Sequence, residues 1–296
     1  MPPNEGLLLL PAGSALLYVI AAFLLKRGIG AGAGQAQVNL YVNVGAGVLF
    51  LPLLTLAGEC DWTAIWMPLV AGATFFAAQI FTFEALRHGD VSVATPLLGM
   101  KVLFITVVSA IGFGEILEAR WWLGALASSI GVVLVTGATW RTLAPRLLKR
   151  DAVMSLAAAA TFAVTDVLVQ KWAPRFGITG FIPVMFGFVA VVTAVVFVPQ
   201  RGLQIFRVPR GARLVLTLGT IALSVQALGM ALALGYYGNA TAVNIVYSSR
   251  AIWSVVLGWA LGRYFASPEP GAAPGVMPRR LAGSILLFAA VVLVLI

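Results

Sequence analysis

Long apolar runs separated by short polar breaks set the pattern of this chain. Runs of about 20 mainly apolar residues, the length that crosses a bilayer as a helix, occupy 7–25, 36–56, 64–86, 91–112, 121–139, 152–171, 179–198, 213–235, 240–262 and 281–296. The third and fourth runs are parted only by Arg87-His88-Gly89-Asp90. The eighth and ninth are parted only by Gly235-Tyr236-Tyr237-Gly238-Asn239. Both breaks predict tight helical hairpins. The pattern therefore predicts an all-α, polytopic membrane protein of ten transmembrane helices.

The two hairpins read as copies of each other. Placing Gly89 on Gly238, an offset of 149 residues, puts Asp90 on Asn239, Ser92 on Thr241 and Lys101 on Arg250. Further on, Gly131-Val132-Val133-Leu134-Val135 falls on Ala290-Val291-Val292-Leu293-Val294 at an offset of 159, the extra ten residues lying in 266–275. The expected units are residues 1–145 and 152–296, each of five spans. Five is odd, so the second unit enters the membrane from the opposite side, as an inverted-topology repeat. Such repeats let a chain open to either side around a central site, which suits a transporter better than a receptor or a membrane enzyme.

Composition supports the lipid-embedded reading. The chain is 61% hydrophobic and 10% charged, against about 25% charged in an ordinary soluble domain. The net charge of +9 does not point to nucleic acid, because the basic residues are scattered through short breaks instead of forming one patch. Their distribution addresses orientation. If helices alternate, the odd-numbered loops carry fourteen basic residues, and the other side, termini included, carries Arg120, Lys171 and Arg175. Positive charge stays on the cytoplasmic side, so both termini are expected outside the cytoplasm, in a bacterial-type inner membrane. The first run lacks a basic leader and continues into Lys26 and Arg27, so it reads as a span and not as a cleaved signal.

Charge in mid-membrane costs at least about 2.5–3.5 kcal/mol per group on insertion scales, so each such group needs a partner or a purpose. Lys101, Asp166 and Arg250 lie deep within their spans. Lys101 and Arg250, related by the repeat, could approach the central axis from opposite halves and hold a carboxylate or phosphate, the Arg fork making the bidentate contact. Alternatively, Asp166 neutralises one of them in a structural ion pair. On the ninth span, Tyr247, Trp253 and Ser254 surround Arg250 at helical spacing, with Asn244 and Ser248 beside them, as cavity lining or as interhelical hydrogen-bonding groups. Asp166 with Gln170, one turn apart, reads as a counter-ion or a proton site. Glu84 near a helix end is a further acidic candidate, with Arg87 and His88 at i+3 and i+4 as its local partners.

The remaining chemistry is sparse. One cysteine, Cys60, and one histidine exclude an internal disulfide and make a zinc centre or a serine–histidine catalytic site improbable. The run Gly28 to Gly34 follows no strand and precedes no Lys-Ser/Thr, so it is not a phosphate cradle. No catalytic residue, metal or cofactor is expected. A small-molecule substrate and membrane lipid are the expected partners, nucleic acid is not, and a monomer is favoured over a dimer.

Two stretches of the first half carry a family resemblance. One is Phe83-Glu84-Ala85-Leu86-Arg87-His88-Gly89-Asp90-Val91-Ser92-Val93-Ala94-Thr95-Pro96-Leu97. The other is Gly114-Glu115 followed by Trp122-Leu123-Gly124-Ala125-Leu126 and Gly131-Val132. They resemble the third-to-fourth helix junction and the glycine–glutamate turn of EamA-type members of the drug/metabolite transporter superfamily. The second half departs from the pattern, with Tyr264 where the glutamate would repeat. Members of that superfamily commonly keep their termini in the cytoplasm, whereas the charge count here says the reverse. The resemblance implies a secondary transporter and leaves the substrate open. Organellar phosphate–sugar exchangers of the same superfamily are similar in placing basic residues on their fourth and ninth helices. The leading expectation is an exporter or exchanger of a small organic anion or zwitterion, such as an amino acid or a phosphorylated compound. The alternatives are an exporter of uncharged or aromatic compounds, or a lipid flippase.

Overall fold

The computed structural model describes residues 5–88, 91–137, 144, 147–261 and 276–295, and all structural statements concern these. Their regular structure is entirely helical. We number the helices α1 (Leu9–Gly30), α2 (Gln35–Phe50), α3 (Trp66–His88), α4a (Val91–Leu98) with α4b (Lys101–Val107), α5 (Ala119–Val135), α6 (Arg150–Phe176), α7 (Ile178–Arg201), α8 (Arg210–Tyr237), α9a (Ala240–Tyr247) with α9b (Arg250–Leu261), and α10 (Val276–Leu295). Eight stretches are long and apolar enough to cross a membrane, and the shorter apolar helices Pro96–Gly112 and Ala119–Val135 supply the fourth and fifth spans. Large apolar side chains point outward along them, including Val191, Val195, Leu214, Ile285 and Phe288. A surface of that kind is solvated by acyl chains and not by water, so the protein is a multi-pass membrane protein.

The helix pairing has an internal regularity. α1 packs on α8, α3 on α6, α2 on α7 and α5 on α10. Exchanging each helix number with the one five away carries the α1–α8 pair onto α6–α3 and leaves the other two pairs unchanged. At the α5–α10 crossing the backbones come close enough to require glycine. A Cβ on Gly283 would lie 2.7 Å from the Gly131 carbonyl oxygen and 2.7 Å from the Val135 nitrogen. Lipid offers no hydrophobic drive for helices to associate, so close approach through small residues takes over that role.

The α8–α9 hairpin is tighter than the sequence suggests. α8 runs on through Tyr236 and Tyr237, and the turn is only Gly238 and Asn239. Gly238 adopts φ +73°, which ends α8 in the left-handed manner natural to glycine. The Asn239 side chain then accepts from the Ala242 N–H at 2.9 Å and caps α9a. Gly89 and Asp90 of the companion hairpin lie outside the described residues, as do the 266–275 insertion and Tyr264.

The fourth and ninth spans are both broken, at matching points. The Gly99 and Met100 N–H groups donate to the carbonyls of Pro96 and Leu97, at 3.1 Å each. The Ser248 and Ser249 N–H groups donate to the carbonyls of Ile245 and Val246, also at 3.1 Å each. Every member of the second set lies 149 residues after its counterpart, the offset read from the hairpins. These are tightened, three-residue turns that keep their amides paired, not unwound gaps. Lys101 is the first residue of α4b and Arg250 the first of α9b.

Candidate functional site

The broken helices position the two basic side chains. A cation at a helix N-terminus faces the positive end of the helix dipole, so neither position is favourable without a compensating group. The two residues are compensated differently.

Lys101 is neutralised. Its Nζ lies 2.6 Å from Asp166 Oδ2, from the middle of α6, and 5.8 Å from the centroid of the Phe162 ring one turn earlier. The same Asp166 oxygen accepts from Asn244 Nδ2 at 2.8 Å, and that amide also donates to the Ala240 carbonyl at 3.0 Å. Asp166 thus ties α4b, α6 and α9a together. Ser248 donates to the Asn244 carbonyl at 2.8 Å and stays buried.

Arg250 has aromatic rings where Lys101 has a carboxylate. Its guanidinium carbon lies 4.6 Å from the centroid of Tyr247 and 4.8 Å from that of Tyr18, on α1. The two rings meet edge to face at 6.1 Å. Among the described residues no carboxylate lies within ion-pair distance of Arg250. Tyr18 and Asp166 are 148 residues apart, one short of the offset between Lys101 and Arg250. Tyr18 lies on α1 and Asp166 on α6, the two helices that exchange in the pairing pattern. The break before each cation recurs at that offset while the charge balance does not: Lys101 has a matched carboxylate, and Arg250 is a lone cation between two π faces. Ring faces attract a cation but do not neutralise it. The group of Lys101, Asp166 and Arg250 carries one net positive charge.

Other residues named from the sequence fall elsewhere. Gln170 donates to Glu115 Oε1 at 2.7 Å and to the Gly238 carbonyl at 3.0 Å, and accepts from the Ala240 N–H at 2.8 Å. It clamps the α8–α9 hairpin to the Gly114-Glu115 turn, and Lys171 closes on Glu115 at 2.5 Å. Glu84 pairs with Arg150 Nη2 at 3.0 Å, an exposed contact across to the start of α6. The side chains of Arg87 and His88, its expected local partners, lie outside the described residues. Trp253 and Ser254 are exposed, and the Ser254 hydroxyl donates to the Ala251 carbonyl at 2.7 Å. Among the described residues no cluster of acidic, cysteine and histidine side chains could hold a metal.

Two features escaped a reading centred on charge. Tyr18 is a solitary tyrosine in an apolar run, and nothing in its neighbourhood marks it. A largely buried amide network joins α2, α3 and α7: Asn43 and Gln79 exchange hydrogen bonds at 2.8 and 3.0 Å, and Thr193 Oγ1 at 3.0 Å and Asn39 Oδ1 at 3.3 Å share the second N–H of the Asn43 amide. Asn39 and Asn43, one turn apart within the second run, were the available signal.

Residues 5–137 match the EamA-like transporter family. No curated protein matches the chain. In fold, 28 solved chains match. One, described as "Crystal structure of protein", shares 17% identity and covers 97% of this chain and 95% of its own length with a TM-score of 0.74. At that identity the likeness speaks for the fold alone.

Proposed function

We propose that the chain is a membrane transporter of small molecules, as the match of residues 5–137 to the EamA-like transporter family implies, and that its substrate is a small organic anion or zwitterion whose acidic group closes on Arg250. Amino acids and phosphorylated metabolites are the classes that fit. One observation carries this reading: Arg250 is a cation deep in the ninth span with no carboxylate partner among the described residues, while its repeat counterpart Lys101 has Asp166. A lone charge in hydrocarbon costs at least about 2.5–3.5 kcal/mol. A bound anion relieves that cost, and the planar fork orients a carboxylate or phosphate.

The transport cycle we infer is alternating access between two inverted repeats, residues 1–145 and 152–296. The matched breaks before Lys101 and Arg250 and the exchange of helix pairs support it. We place the protein in a bacterial-type inner membrane as a monomer with both termini outside the cytoplasm, on the fourteen-to-three bias of basic residues. A second reading is favoured by the ring faces of Tyr18 and Tyr247, which suit an uncharged aromatic compound. Binding measured on purified protein across amino acids, sugar phosphates and neutral aromatic analogues separates the two. Saturable binding confined to compounds with a free acidic group supports the anion reading. Equal binding of their amides or esters refutes it.

A further inference from the structure

Away from the charged centre, α2 and α8 enclose a cavity of about 400 Å³, within the size range of small-molecule sites. It is lined by Tyr41, Val44 and Val48 on α2, Thr217 and Ile221 on α8, and Phe206 before α8. The floor is where the helices touch: a Cβ on Gly45 would collide with the Thr220 side chain. The Thr220 hydroxyl is buried there without a hydrogen-bond partner. The walls are apolar, and Val48, Phe206 and Ile221 are exposed, so the cavity opens sideways toward lipid.

One end of the groove is basic. Arg213 precedes Thr217 by one helical turn and Arg210 precedes it by two, so both continue the wall that Thr217 and Ile221 form. Arg207 follows Phe206 directly. All three arginines are exposed, and among the described residues none has an acidic partner. Arg213 uses only its Nε, on the Val208 carbonyl at 3.2 Å. The segment before α8 is held to α2, with Gln37 donating to the Arg207 carbonyl at 3.2 Å and Tyr41 to the Phe206 carbonyl at 3.4 Å. The groove and its basic end therefore form one built unit.

We propose that this groove is a binding site for one anionic phospholipid, with an acyl chain between α2 and α8 and the phosphate on Arg210 and Arg213. An apolar slot open to the bilayer takes hydrocarbon, and clustered arginines at its interfacial end select a negative headgroup. Thr217 lies one turn below Arg213, where an ester carbonyl follows the phosphate of a glycerophospholipid. The site is separate from Arg250 and does not depend on the identity of the transported compound.

The test uses the delipidated full-length protein titrated with phosphatidylglycerol or phosphatidylcholine, with bound lipid counted by native mass spectrometry and thermal melting followed in parallel. One phosphatidylglycerol per chain is expected, retained with a rise in melting temperature, and phosphatidylcholine is not retained. The double variant Arg210→Gln/Arg213→Gln should weaken phosphatidylglycerol binding about thirtyfold, at roughly 1 kcal/mol for each basic residue. Thr217→Trp, which fills the groove and leaves the charges, should also remove it. Arg279→Gln, a basic residue on α10, should not. Equal retention of the two lipids, or unchanged binding in both groove variants, would overturn the proposal. So would displacement of the lipid by inorganic phosphate alone, which would mark a site for free phosphate.

Discussion

Arg250 lies 4.8 Å from the ring centroid of Tyr18, whereas Lys101, 149 residues earlier in the chain, finds the carboxylate of Asp166. That substitution of an aromatic face for a carboxylate leaves the centre one positive charge in excess. It follows that supplying the missing carboxylate should silence the site. In Tyr18→Asp the new side chain is expected to pair with Arg250 and abolish uptake of anionic substrate into proteoliposomes. Tyr18→Phe, which keeps the ring, should change affinity by less than the ~0.5–2 kcal/mol of a whole cation–π contact. Full anion transport by folded Tyr18→Asp protein would show that the excess charge is not used.

The Lys101–Asp166 pair should behave as structure. Removing one partner of a buried ion pair typically costs about 3–5 kcal/mol, because the other charge is stranded. Asp166→Asn is therefore expected to lower the melting temperature substantially. Lys101→Met/Asp166→Leu, which removes both charges, should recover most of the loss. Thermal melting of the three proteins in one detergent decides it, and an additive double variant would mean that the pair is not coupled.

The positions of the helices were readable from apolar run length, because the bilayer sets that length. The 149-residue offset reappears in the paired breaks at Gly99–Met100 and Ser248–Ser249, which no hydropathy pattern reveals because a three-residue turn leaves composition unchanged. Lys101, Asp166 and Arg250 stood out because charge in lipid is costly. Their division of labour did not, since it depends on which helix faces which: Asp166 could have served either cation. Gln170 looked like a companion of Asp166 one turn away. Its three hydrogen bonds run instead to Glu115, Gly238 and Ala240, contacts between residues 55 to 70 positions apart in the chain.

Gln170 should accordingly matter for folding more than for ligand. Gln170→Leu strands the Gly238 carbonyl and the Ala240 N–H, at a cost of about 1–3 kcal/mol for each unsatisfied group. A clear fall in melting temperature with an unchanged ligand dissociation constant is expected. A dissociation constant that rises tenfold while stability holds would place Gln170 in the binding site.

Orientation is tested directly by a C-terminal fusion after Ile296. With both termini outside, a reporter active only in the cytoplasm should stay silent and one active only in the periplasm should work. The opposite result would put the basic loops outside and overturn the charge argument.

The most direct test of the central claim is substrate binding and proteoliposome transport by Arg250→Lys and Arg250→Gln beside the unaltered protein, across an acidic ligand and its neutral amide. Arg250→Lys is expected to weaken binding of the acid by losing the bidentate fork. Arg250→Gln is expected nearly to abolish acid transport in protein that melts no lower than the parent. If folded Arg250→Gln carries the acid as well as the parent does, Arg250 does not hold the substrate, and an exporter of uncharged compounds takes the place of the anion transporter.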